Sequence, residues 1–384
     1  MEMERTAITS RLSARRGGSS SATNHGGSRN LFFYVLSGLS LVGLVFNFAV
    51  LKNLTTSESN TPTSSSLSSS ASVLTTTVEG WGGTAVKSEA DEVQIRQEES
   101  SIEAWSSPHQ VDCKSLVEDT PDETYKQTTT NHSFLMNIHP PAKDQISQRI
   151  WNEGCWECSH IEGMISALKR HENSYFLDIG GNIGMWSLSA AAANYQTVTM
   201  EVLPLNYKRF CLSVNKNSFH KRTHLLNVAA TEEMPATFRF HVPKDKNFGG
   251  TGIIPINEAE VGSYEKKDIV HGVTIDSLNL PTKVPVVIKM DVEGHELSVL
   301  LGATNFLQNA NVVYFMMELR FMQLKQNWSK WKAIFDVLHA KGLKPYRINY
   351  EDETLLDIEK QQDWKHFKHP IVKYFDVVWR LDAD

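Results

Sequence analysis

The chain has 384 residues, 41% of them hydrophobic, which is enough for a sizeable core in one large domain or two. Its formal net charge is -6, and the missing basic excess argues against nucleic acid as a main partner. Residues 1–30 form a polar tail rich in Ser, Gly and Arg. Leu31 to Leu51 (LFFYVLSGLSLVGLVFNFAVL) carries no charge and matches the roughly 20 residues that span a bilayer. A cleaved signal peptide has a shorter apolar core, about 7–15 residues, nearer the start, so a retained signal anchor is expected. Arg5, Arg11, Arg15, Arg16 and Arg29 precede it and only Lys52 follows closely. The positive-inside rule then leaves the N-terminus in the cytoplasm and the rest in the lumen of the secretory pathway (Golgi or ER), as a single-pass type II protein. Glu2 and Glu4 count against a mitochondrial presequence.

Residues 52–110 are Ser/Thr-rich, with TPTSSSLSSSASVLTTT at their centre. Such a stretch buries too little apolar surface to offset chain entropy and reads as a disordered stalk. Asn53, Asn131 and Asn327 begin N-glycosylation sequons. Residues 111–384 form the folded domain. YFLDI (175–179) is a short apolar strand, followed by a helix-compatible Ile183–Ala193. TVTMEV (197–202) is the next strand, and Tyr207, Phe210, Cys211 and Val214 form a helical stripe. HLLNVAA (224–230) and VPVVIKMD (284–291) are further strands, the latter apolar enough to be buried on both faces. A helix is expected over 296–307, a strand over 312–319, and a helix around Trp331, Ile334, Phe335 and Leu338 that ends at Gly342. KPYRINY and YFDVVWRL supply two late strands. The alternation predicts an α/β fold, a doubly wound and mostly parallel seven-stranded sheet.

The loop after YFLDI reads D-x-G-G-N-x-G. A dinucleotide fingerprint begun at Gly180 would need glycine at Asn182 and Met185, and both fail. Glu201 ends the second strand about 20 residues on, where a ribose-binding acid belongs. Loop and acid together suit an adenosine-containing ligand without a pyrophosphate, and S-adenosylmethionine (SAM) fits. The alternative is ordinary turn glycines and a chance acid. Lys289, Asp291, Glu293, His295 and Glu296 crowd the end of the fourth strand, facing the same cleft. Glu293 and Glu296 also suit the start of the following helix. Asp291, which ends the strand at the cleft, is the leading candidate for substrate contact.

FLDIGGNIGMWSLSA, MEVLPLNYKRFCLSVNKN, GVTIDSL and VVIKMDVEGHELSVLLGA together resemble the FkbM-type SAM-dependent methyltransferases, across roughly residues 145–320. The resemblance implies a class I methyltransferase (Rossmann-like) fold and O-methyl transfer, often to a sugar or polyketide hydroxyl. By position it assigns SAM contacts to Asp178, Gly180, Asn182, Gly184 and Glu201, with Gly181 in the same loop. It marks Lys289, Asp291, Glu293, Gly294 and Glu296 as a second signature. Three positions depart from the family: Gly181 stands where alanine is usual, Val202 replaces a proline, and His295 replaces a small residue.

Methyl transfer needs a hydroxyl placed in line and a group to take its proton. Asp291, His295 and Glu318 are the candidates. A divalent metal held by Asp291 with Glu293 or Glu318 is the less favoured route. Of four cysteines, Cys155 and Cys158 form a C-x-x-C, Cys211 lies on a helix's apolar stripe and reads as a buried thiol, and disulfides among Cys113, Cys155 and Cys158 suit an oxidising lumen. Two rival readings are a type II glycosyltransferase, in which DVE (291–293) would stand for a metal-binding D-x-D, and an anchored domain that kept the fold without catalysis.

Overall fold

The computed structural model describes residues 102–116, 124–243, 247–348, 353–364 and 374–382. The expected tail, the anchor at 31–51 and most of the expected stalk lie outside the described residues. No helix among the described residues is long and apolar enough to cross a membrane.

In chain order the strands are β1 (Thr124–Gln127), β2 (Leu135–Ile138), β3 (Tyr175–Ile179), β4 (Gln196–Met200), β5 (Thr223–Leu226), β6 (Ala229–Ala230), β7 (Ala236–His241), β8 (Gly252–Pro255), β9 (Ile269–Val273), β10 (Pro285–Met290), β11 (Asn311–Arg320), β12 (Lys344–Ile348), β13 (Glu353–Leu355) and β14 (Tyr374–Arg380). The helices are α1 (Gln145–Glu153), α2 (Cys158–Arg170), α3 (Met185–Ala192), α4 (Pro204–Asn217), α5 (Glu258–Val261), α6 (Glu296–Leu301), α7 (Thr304–Asn309), α8 (Phe321–Gln326) and α9 (Trp328–Ala340).

The main sheet has eight strands in the order β13-β12-β14-β11-β10-β3-β4-β5. From β11 to β5 neighbours run parallel, while β14, β12 and β13 pair antiparallel. The expected count of seven misses β13, whose three residues are all exposed and carry no apolar period. Every residue of β3 is buried. Tyr175, Leu177 and Ile179 enter one core with Val299, Phe306 and Trp331, while Phe176 faces the other with Leu168, Trp186 and Phe210. Helices therefore cover both faces, as the continuous apolar runs require. The chain moves one way from β3 through β5 and the other way from β10 through β11. The switch point between β3 and β10 opens a crevice beyond their carboxyl ends.

Three boundaries differ from the sequence reading. The 224–230 strand splits, and β6 joins a separate four-stranded sheet, β6-β9-β7-β8. That sheet escapes notice because its strands are short and half-buried. The 296–307 helix breaks between α6 and α7 at Gly302, where a Cβ would sit 1.9 Å from the Thr231 carbonyl oxygen. The domain also starts before residue 111. Ile102 is buried, Trp105 Nε1 donates to Leu278 O at 2.9 Å, and Gln110 bridges Leu226, so the last of the expected stalk covers the free edge of β5.

Cys211 is not a free thiol. It pairs with Cys113, while Cys155 pairs with Cys158, so no cysteine is free. The first bond pins the arm ending at Leu116 to α4, where Asn215 Nδ2 also donates to Cys113 O at 2.9 Å. Its cysteines are separated by 98 positions. Replacing both with alanine is expected to lower stability by about 2–5 kcal/mol. Urea denaturation of the double variant against wild type measures this, and an unchanged midpoint would refute it.

Candidate active site

Beyond the carboxyl ends of β3 and β10 lies a cavity of about 550 Å³, within the roughly 300–1,000 Å³ range of small-molecule sites. Asp178 and Lys289 are in register on adjacent strands and so share a face. Lys289 Nζ donates to Gly180 O at 2.8 Å and lies 3.7 Å from Asp178 Oδ1 and 3.8 Å from Asp291 Oδ2. Burial alone would lower its pKa, but Asp291, Asp178, Glu157 and Glu201 together raise it, so Lys289 stays charged.

The glycine loop is shaped by close approach. At Gly180 (φ +89°) a Cβ would lie 1.9 Å from Asp291 O, and at Gly181 it would meet Thr199 Cγ2 at 2.2 Å, so both positions are tight for any side chain. Gly184 (φ +94°) caps α3 against the Phe210 ring. The loop amides are all engaged within the protein. Gly180 and Gly181 donate to Met200 O, Asn182 to Glu201 Oε2, Ile183 to Asn182 Oδ1, and Gly184 to Gly181 O. The loop therefore has no array of free N–H groups for a pyrophosphate. Glu201 is buried at the cavity wall and also accepts from Leu203 N at 2.9 Å. Burial pushes its carboxyl up to about 6, against the pull of those donors.

Of the residues expected in the site, Gly180, Gly181, Asn182, Glu201, Lys289, Asp291, Glu293, His295 and Glu318 line the cavity. Asp178, Gly184 and Glu296 do not. Asp178 is fully buried behind the loop, where Ser187 Oγ donates to it at 2.6 Å, so it ties loop to helix. Glu296 turns inward and accepts from Gly294 N at 2.9 Å. His295 Nε2 is 3.1 Å from Ile253 O, and burial lowers its pKa. Asp291 Oδ1 is buried without a hydrogen-bond partner. Glu293 (φ +53°) holds Arg320 at 2.6 Å, and burial pushes its carboxyl up to about 7. Among the described residues, no group of three or more His, Cys, Asp and Glu side chains could hold a metal ion.

The sequence reading missed other parts of the wall. Trp156 and Glu157, inside the C-x-x-C, both line the cavity. Glu157 (φ +56°) accepts from Trp186 Nε1 at 2.9 Å, and burial raises its pKa. The loop Asn247–Thr251 borders the opening, with Phe248 N bonded to Asp144 Oδ1 at 3.1 Å. Asp376 in β14 is directly opposite Glu318 in β11. The one available signal for it was an acid in the middle of the apolar run YFDVVWR.

Burial, first, and then the charges of Asp291 and Asp376 push Glu318 up to about 9. A carboxyl raised from its ordinary 4.5 contributes full stability below that value and loses it as pH climbs toward 9. Glu318→Gln removes that loss. The variant is expected to match wild type near pH 4.5 and to be more stable by roughly 1–3 kcal/mol at pH 8. Urea melts at both pH values test this, and equal or lower stability at pH 8 contradicts it.

Residues 178–345 match the family model described as the Methyltransferase FkbM domain. No curated protein matches the chain. Among solved structures, the chain is similar to a precorrin-6y C5,15-methyltransferase from Geobacter metallireducens GS-15, at 10% identity and TM-score 0.31, covering 58% of this chain and 89% of that one. It is similar to a SAM-dependent methyltransferase from Agrobacterium tumefaciens at 9% identity and TM-score 0.33, covering 68% and 72%. P. horikoshii TYW2 in complex with MeSAdo follows at 11% identity and TM-score 0.31, covering 67% and 70%. At these TM-scores the structural likenesses carry no argument of their own. The matched segment contains both the glycine loop and the Lys289–Glu296 signature, and the chain is similar to that methyltransferase family over those residues.

Proposed function

We propose that this chain transfers the methyl group of SAM to a hydroxyl of a glycan or small-molecule acceptor, in the lumen of the secretory pathway, as a single-pass type II membrane protein. One observation carries the reading. The glycine loop, Glu201 and the Lys289–Asp291 pair open on one cavity, and the loop has spent its amides within the protein. When bound, SAM supplies a methyl group made electrophilic by its sulfonium charge. Glu201 would hold the ribose hydroxyls, and the Gly180–Ile183 backbone would lie along the amino-acid end. Val202 and Val228–Ala230 offer an apolar wall for the adenine. Asp291, with its unpartnered buried oxygen, would orient the acceptor hydroxyl. Nucleotide-sugar transfer is less well supported, because a diphosphate would find no free loop amides and, among the described lining residues, no Lys or Arg besides the engaged Lys289.

Glu201→Ala is expected to weaken SAM binding by about 1.5–3 kcal/mol, the scale of hydrogen bonds to a charged group. Calorimetry on the folded variant decides the point, and undiminished affinity would remove Glu201 from the cofactor site.

The two disulfides support an oxidising compartment. Asn131 is exposed in the turn between β1 and β2, whereas the Asn327 amide donates to Gln323 O at 3.2 Å. The expected outcome of translation with microsomes is glycan at Asn131 and none at Asn327, read by peptide mass spectrometry. Both asparagines unmodified, with the domain open to protease, would overturn the lumenal orientation.

A further inference from the structure

Glu318 and Asp376 face each other across antiparallel strands. Glu318 lies two residues beyond Met316, which is in register with Lys289, so both acids share the face of Lys289 and Asp178. Both line the cavity. Neither carboxyl has a hydrogen bond or ion pair among the described residues. As structure the arrangement is unfavourable, because like charges directly opposite one another destabilise a sheet; both side chains are half-buried and open on the cavity.

The surroundings do not relieve it. Lys289 is bonded to Gly180 O, and Arg320 is held by Glu293. Arg347 in β12 is in register with Val377, so it belongs to the opposite face. Glu157 at the start of α2 and Asp291, Glu293 and Glu296 beyond β10 add negative charge on this side. Burial and these neighbours push Glu318 up to about 9 and Asp376 up to about 7. The strand register sets the two acids opposite each other on the cavity wall, where each can take or release a proton.

We propose that the Glu318–Asp376 pair is the proton acceptor of the methyl-transfer reaction, giving up a proton when the cationic donor enters the cavity and taking the acceptor's hydroxyl proton as that cation is consumed. The inference rests on the SAM reading above. The acceptor oxygen's lone pair forms the new O–CH3 bond, the S–CH3 bonding electrons stay on sulfur, and the O–H proton passes to the carboxyl pair. The charge inside the cavity is thereby the same before and after: a proton on the pair replaces the positive charge on sulfur. In a low-dielectric site an unbalanced charge is costly, so a pair that can load and unload a proton suits the task better than a fixed carboxylate. Asp291, 3.8 Å from the Lys289 ammonium, keeps the orienting role.

The test needs no knowledge of the acceptor. SAM and its demethylated, uncharged-sulfur product S-adenosylhomocysteine are titrated calorimetrically into the solubilised full chain between pH 6 and 9, in buffers of different ionisation heat. The wild type is expected to release protons on binding SAM near neutral pH. Its preference for SAM over the product should rise with pH, by up to about tenfold per unit, the limit for one linked proton. Asp376→Asn and Glu318→Gln should each bind both ligands with that pH dependence flattened. The ligands' own amino groups titrate alike in every variant and cancel in the comparison. A pH dependence identical in wild type and both variants overturns the proposal. Binding of neither ligand by wild type overturns the SAM reading instead.

Discussion

The site depends on one buried ammonium. Lys289 stands in a strand whose neighbours Val286, Val287, Ile288 and Met290 are buried and apolar, and it reaches sideways to the carbonyl of Gly180, the first residue after the neighbouring β3. That bond joins the two strands at the point where the chain order reverses. Asp178 and Asp291 flank the same nitrogen, one behind the loop and one in front of it. A lone ammonium in this position would be very costly, and so would either carboxylate without it. Lys289 and Asp178 are buried together, with the half-exposed Asp291 beside them, and the Lys289–Gly180 bond holds the glycine loop against the end of β10.

The same constraint explains why the loop must be glycine. With Gly180 O drawn to Lys289 and the Asp291 carbonyl beside Gly180 Cα, there is no room for a side chain. The loop amides fold back onto Met200 and Glu201, which links the cavity floor to β4. The cavity wall is then built from Asp291, just past the end of β10, and from Glu318 in β11 and Asp376 in β14, both within the strands near the same edge of the sheet. Glu157 reaches it from the start of α2. The wall is rich in acids with one ammonium among them, a charge pattern that favours a cationic ligand over a phosphate.

Much of this was legible in the chain. YFLDI and VVIKM are apolar runs without alternation, and such runs have few homes other than a parallel sheet covered on both faces. G-x-G-x-x-G fails at Asn182 and Met185, and in the structure the amides of that loop bond within the protein. The stripes Phe210, Cys211, Val214 and Trp331, Ile334, Phe335, Leu338 became the buried faces of α4 and α9. The small sheet β6-β9-β7-β8 was not legible, because its short strands carry no clear period and two of its three pairings, β6 with β9 and β7 with β9, join distant segments.

By itself the sequence determined the local facts: which runs are buried, where glycine is compulsory, and which acids stand at strand ends. These follow from the period of apolar residues and from residue chemistry, both of which act over a few positions. The tertiary structure alone decided that Cys211 meets Cys113, that Asp178 and Glu296 turn away from the cavity, and that Asp376 comes to lie opposite Glu318. Those outcomes depend on strand order and register, which bring together residues tens of positions apart, and no local pattern encodes which partner an acid or a thiol will face.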